Sequence, residues 1–206
     1  MAGRRHLLLL VAALTAVVAV LAVVGVRLLG GSATGRRPSQ AAPGPVLLIP
    51  GYGGNQRALS VLAGRLRAEG REATVVTLPD GGTGDLLRQV ETLDADVRAA
   101  LDGGAPSVDL VGYSAGGVVA RAWVDRRDGA TVARRVVSLG SPLHGTRIAA
   151  LGLTLGADAC PTACRQLAPG SDLLDDLDGP LPEGLPWLSV WTEDDEIVKP
   201  PDSARL

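Results

Sequence analysis

The chain has 206 residues, enough for one domain with a substantial buried core, and 46% of them are hydrophobic although phenylalanine is absent. Nineteen of its 20 basic residues are Arg and the other is Lys199; five of the arginines fall in residues 1–40, which hold no acid, so the rest of the chain carries 15 basic against 22 acidic groups, a net of −7. A mildly acidic body without a basic stripe excludes nucleic acid as the partner.

The chain opens on "LLLLVAALTAVVAVLAVVGV", Leu7 to Val26, with Thr15 as its one polar residue. Twenty residues at helical rise span about 30 Å, the thickness of a bilayer core. Arg4 and Arg5 precede the run, which favours a cytoplasmic N-terminus. The segment reads as an uncleaved membrane anchor, with a cleaved signal peptide as the alternative; either puts the body outside the cell membrane. A Gly/Ser/Pro/Ala linker follows, so the expected organisation is anchor 1–29, linker 30–44 and domain 45–206.

Within the domain, strands and helices alternate. "VLLIP" (46–50) is a short apolar run ended by Pro-Gly, as in a buried parallel strand. Residues 55–70 place Leu59, Leu62, Ala63 and Leu66 on one helical face and stop at Gly70. A second strand is predicted over 73–79, and a second helix over 84–104 with Leu87, Val90, Leu93, Val97 and Leu101 three or four residues apart. Then come a strand at 107–113, a helix at 115–129 and a strand at 133–142. A loop- and helix-rich insert runs from about His144 to Pro182, the position for a substrate-gating element. A fifth strand covers 185–191. This order predicts an α/β fold, a mostly parallel sheet with helices on both faces.

The insert holds the only two cysteines, Cys160 and Cys164. Outside the cytoplasm a lone close pair predicts a disulfide, with two buried thiols as the alternative. Two cysteines and a distant histidine do not supply four zinc ligands, and no metal or other cofactor is expected.

The third strand runs into "GYSAGG", with Gly112, Ser114 and Gly116 in the pattern G-x-S-x-G. Such a short pattern is weak alone. It gains force from the strand before it and the helix after it, because that turn throws the serine above the sheet edge. A Cβ at Gly112 or Gly116 is expected to collide with the neighbouring helix or strand. Ser114 therefore reads as a nucleophile, an ordinary strand-to-helix turn being the alternative. Its oxyanion would be met by the Ala115 N–H at a helix N-terminus and, from the Gly-rich loop "PGYGGN" (50–55), by the Tyr52 N–H.

Taken in order, "VLLIPGYGGN", "LVGYSAGGVVAR", "LGSPLHGT" and "LSVWTEDDEIVKP" resemble the small bacterial lipases and esterases of the α/β-hydrolase superfamily. The resemblance covers most of the chain from Val46 to Pro200. It implies hydrolysis of carboxylic esters, often of lipids, through an acyl-enzyme on Ser114, without a metal. Acyl transfer and thioester hydrolysis use the same nucleophile and stay open, as does a non-catalytic membrane-tethered module. The resemblance departs at Pro50, where the family usually has a His that helps to fix the oxyanion loop. In the family's order Ser, acid, His, the acid falls on Asp195, with Asp194 as second choice; a solvated acidic turn is the bland reading. The base is the difficulty. His6 lies at the anchor, and His144 matches a position at the rim of the site rather than the base. The resemblance implies a further strand, a His-bearing loop and a closing helix beyond residue 200, so the reading expects a chain truncated before them, with an exposed apolar sheet edge.

Overall fold

The computed structural model describes residues 37–156 and 158–206, and residues 37–206 form one compact unit. The apolar segment 7–26 lies outside the described residues; among those described, no helix is long and apolar enough to cross a membrane. Five parallel strands are ordered β2-β1-β3-β4-β5: β1 (Val46–Ile49), β2 (Ala73–Val75), β3 (Val108–Tyr113), β4 (Ala133–Leu139) and β5 (Trp187–Val190). Helix α1 (Arg57–Ala68) joins β1 to β2, α2 (Leu86–Asp102) joins β2 to β3, and α3 (Ala115–Arg126) follows β3. The insert contributes α4 (Arg147–Thr154), α5 (Thr162–Gln166) and α6 (Asp172–Asp176).

The period-two alternation of β1 assigns the layers. Val46 and Leu48 pack with Leu59 and Ala63 of α1, whereas Leu47 and Ile49 point to the opposite cluster, with Val90, Leu93 and Val97 of α2 and Val118, Val119 and Trp123 of α3. The hydrophobic periodicity thus assigned α1 and α2 their buried stripes, whereas α3 is buried from Ala115 to Val124 on every face. Cover on the α1 side does not extend across the sheet: on β5, Leu188 and Val190 are 58% and 46% exposed. Strand β2 is shorter than the apolar pattern over 73–79 suggested. Only the Val76 N–H still reaches β1, at the Leu48 carbonyl (2.9 Å), before Pro79, which has no N–H to give a ladder, starts a tight turn.

The chain moves outward from β1 to β2 and then returns past β1 to β3. The order reverses between β1 and β3, so the C-terminal ends of these two strands flank the crevice where ligands bind in open α/β sheets. The opposite end of the sheet is closed by charge. Asp109 on β3 accepts from Arg134 Nε on β4 (2.9 Å), pairs with Arg134 Nη2, and accepts from Arg71 Nη2 (2.7 Å) after α1. The same arginines donate to the carbonyls of Gln40 and Gly44, pinning the incoming chain to the sheet. Asp109 and Arg134 are both buried. Removing one partner from such a cluster leaves an uncompensated buried charge. Asp109→Ala is expected to cost about 3–5 kcal/mol, read as a lower urea midpoint at unchanged m-value.

Candidate active site

The turn from β3 to α3 is the most constrained point of the backbone. Ser114 sits at φ 51°, ψ −125°, a region that residues with side chains rarely occupy. Its N–H donates to the Leu139 carbonyl (2.8 Å) and its carbonyl accepts from Gly117 (3.0 Å), so both neighbours hold the strained conformation. The two glycines meet the steric demand read from the sequence. A Cβ on Gly112 would lie 2.5 Å from the Gly117 backbone, and one on Gly116 would lie 2.2 Å from the Ile49 carbonyl oxygen of β1. Gly117 is a third requirement that the sequence reading missed, since its Cβ would fall 2.0 Å from Ser141 Oγ. The signal was present as the second glycine of "SAGG".

The loop after β1 passes directly over the serine: a Cβ on Gly51 would stand 2.9 Å from the Ser114 Cβ. Tyr52 follows, 44% exposed, and Ala115 is buried as the first residue of α3. Tyr52 and Ser114 line one cavity of about 400 Å³. Its remaining walls are almost wholly apolar, with Ile148, Leu151 and Leu155 from α4 and its end, Leu167 after α5, and Ile197 and Val198 from the loop after β5. The sulfurs of Cys160 and Cys164 are bonded, and this disulfide backs α4, since a Cβ on Gly152 would come 3.0 Å from Cys164 Sγ.

The loop after β5 separates the two acid candidates. Asp195 Oδ1 accepts from the backbone N–H groups of Ile197 (2.9 Å) and Val198 (2.8 Å). Its Oδ2 lies toward the end of β4, 3.2 Å from where a Cβ on Gly140 would be. Asp195 is half-buried, whereas Asp194 is exposed and bonds only through its backbone N–H, to Thr192 Oγ1. One carboxylate is thus held beside the two residues that line the Ser114 cavity.

His144 belongs elsewhere. It lines a second cavity of about 380 Å³ with Arg121, Leu177 and Asp178, and no residue is common to the linings of the two. A carbonyl can only accept, so the 3.2 Å contact to the Ser203 carbonyl puts the ring proton on Nδ1; Nε2 stands 3.8 Å from Asp178 Oδ1. Arg121 beside it is buried and donates to the Leu177 (3.2 Å) and Gly179 (2.7 Å) carbonyls. Burial lowers the pKa of its guanidinium, and the Asp125 carboxylate opposes that shift. The structure therefore gathers Ser114, Tyr52, Ala115 and the Asp195 loop around one cavity and leaves His144 out of it. His6 lies outside the described residues.

The parallel sheet, the reversal of strand order and the serine at its crest are the α/β-hydrolase fold of lipases. Residues 45–170 match the family model described as palmitoyl protein thioesterase, more than half of the chain, and the protein belongs to this family of hydrolases. Among solved structures it is similar to the mature form of Bacillus licheniformis lipase BlEst2, at 23% identity and TM-score 0.56 over 68% of this chain and 60% of that one. The propeptide form of the same lipase matches at 22% identity and TM-score 0.57, over 68% of this chain and 32% of that one. Aspergillus fumigatus lipase B matches at 16% identity and TM-score 0.61, over 77% of this chain and 39% of that one. The chain therefore spans less than two thirds of the length of each. No curated protein matches it significantly.

The strained turn gives a direct stability test. Glycine occupies Ser114's backbone region without steric cost, so Ser114→Gly is expected to raise the unfolding free energy by about 1 kcal/mol. Gly116→Ala, forced against a strand carbonyl, is expected to lower it by about 2 kcal/mol or more. Thermal melts of the two variants beside wild type check both signs.

Proposed function

We propose that the protein hydrolyses acyl esters or thioesters through an acyl-enzyme on Ser114. One observation carries this reading: a serine in a strained conformation, at the switch point of a parallel sheet, facing an apolar cavity. In the proposed reaction Ser114 Oγ attacks the acyl carbonyl carbon, and the carbonyl π electrons move to oxygen. The Ala115 and Tyr52 N–H groups stabilise that oxyanion. Its collapse expels the alcohol or thiol, which leaves with a proton, and water then cleaves the Ser114 acyl ester to release the acid. The apolar walls from α4 and the Ile197–Val198 loop suit a hydrocarbon chain. Of the two leaving groups, the family match supports the thioester.

Asp195 is the acid in this proposal, with Oδ2 free of the two backbone bonds that hold Oδ1, and it would orient an imidazole toward the serine. His144 is not that imidazole, because it lies in the other cavity. Among the described residues nothing else supplies the base, and residual catalysis from binding and oxyanion stabilisation alone is about 10³–10⁴-fold over water. The apolar segment 7–26 supports a setting at the outer face of the cell membrane, or secretion if that segment is removed.

A fluorophosphonate probe is expected to label wild type at Ser114, slowly, and to leave Ser114→Ala unlabelled. Added imidazole, acting as an external general base, is expected to speed the labelling. An intact-mass spectrum without a Ser114 adduct, with or without imidazole, would overturn the assignment. Comparing kcat/KM for matched acyl ester and acyl thioester substrates then decides the leaving group, and acyl appearing on an added alcohol rather than in free acid would mark a transferase.

A further inference from the structure

Pro50 opens the loop that carries the Tyr52 N–H. A support is built against this loop. The turn after β2, Pro79–Gly82, passes three consecutive residues through positive φ: Asp80 at 51°, Gly81 at 59° and Gly82 at 72°. This brings the Gly82 carbonyl within reach of the Gly53 N–H (3.4 Å). It also packs the turn against the loop backbone to backbone. A Cβ on Gly82 would lie 2.6 Å from the Gly54 nitrogen, 2.9 Å from the Gly54 Cα and 3.3 Å from the Gly51 carbonyl oxygen. From the other side, a Cβ on Gly54 would lie 3.0 Å from the Gly81 carbonyl oxygen. Since Gly51 rests on the Ser114 side chain, the turn, the loop and the nucleophile form one continuous stack with no side chain between the first two.

The turn is itself braced from behind. The Thr83 N–H and hydroxyl both donate to the Asp80 carbonyl, at 3.2 and 3.0 Å. The Thr83 carbonyl accepts from the Ala163 N–H of α5 (3.2 Å). Gln166, also on α5, donates to Asp85 Oδ1 (2.7 Å) and accepts from the Leu86 N–H (2.8 Å). The insert that walls the cavity is therefore fastened to the turn that supports the oxyanion loop.

We infer that Gly82 is a positioning residue for the reaction: by leaving room for Gly51–Gly54 it sets the height of the Tyr52 N–H over Ser114. This rests on the Ser114 nucleophile proposed above. A side chain at residue 82 would push on the backbone of the loop that crosses the serine. Residue 82 does not itself line the apolar cavity, whose aliphatic walls come from the insert and the Ile197–Val198 loop, so the effect is expected in the rate rather than in binding.

The test is the rate of Ser114 phosphonylation, in which Ser114 Oγ attacks phosphorus, fluoride leaves, and the phosphoryl oxygen occupies the oxyanion site. Gly82→Ala is expected to lower the maximal inactivation rate about tenfold or more, the scale of a misplaced oxyanion donor, with KI unchanged. Gly81→Ala is the matched control. It carries a similar positive φ in the same turn, yet its Cβ would meet nothing within 4 Å, so it pays the backbone strain without touching the loop. Its inactivation rate is expected to stay at the wild-type value. Equal rates for the two variants, or a rise in KI instead of a fall in rate, would overturn the inference. Should Gly82→Ala fail to fold, Gly54→Ala presses the same contact from the loop side, and a wild-type rate there overturns it equally. An unlabelled wild type removes the nucleophile and this inference with it, whereas a labelled wild type with an unaffected Gly82→Ala removes this inference alone.

Discussion

The end of β1, the end of β3 and the first turn of α3 meet in backbone contact, and they can do so because residues 112 and 116 carry no side chains. That contact forces Ser114 into its unfavourable dihedrals and lifts its side chain clear of the sheet. It also brings the loop after β1 across Ser114, so the serine and this loop share one support. The strain at Ser114, of the order of 1–3 kcal/mol, persists because the buried faces of β1, β3 and α3 leave the turn no room to relax. Leu48, Ile49, Leu110 and Val119 in these elements are all but fully buried.

The two ends of the sheet do different work. At the C-terminal edge Ser114 meets a cavity that the insert walls with aliphatic side chains. The N-terminal edge carries the Arg71–Asp109–Arg134 cluster, far along the strands from the serine, where a charge network can hold β3, β4 and the incoming chain without perturbing the reactive end. This split matches the rule that α/β sheets bind ligands beyond the carboxyl ends of their strands.

The insert links substrate recognition to the rest of the site. Helix α4 presents Leu151 and Leu155 at the cavity with 64% and 76% of their surface still exposed, an amount of apolar surface that a bound hydrocarbon chain would cover. Behind it, the Cys160–Cys164 disulfide and α5 tie this wall to the turn after β2.

Much of this was legible without coordinates, because it rests on local chemistry. Chain order and hydrophobic period identified five strands, three long helices and the buried stripes of the first two, and the glycine pattern around Ser114 states a steric need that any strand-to-helix turn of this kind has. The choice of Asp195 over Asp194 was readable only as an alignment; its physical reason, two backbone N–H groups donating to one oxygen, comes from the loop's shape. Other features depend on which segments meet in space. Asp109 reads as a polar residue in an apolar strand until Arg71 and Arg134 arrive from elsewhere in the chain. "PDGG" reads as a turn like any other until it stacks under the oxyanion loop. Chain order argues against His144 as the base without excluding it, and its separate cavity is a tertiary fact. The sequence by itself determined the elements and the glycine-flanked turn at Ser114, since backbone sterics and hydrophobic period act over a few residues. The tertiary structure alone decided which carboxylate, which glycines and which histidine share the serine's surroundings, since those contacts join residues dozens of positions apart.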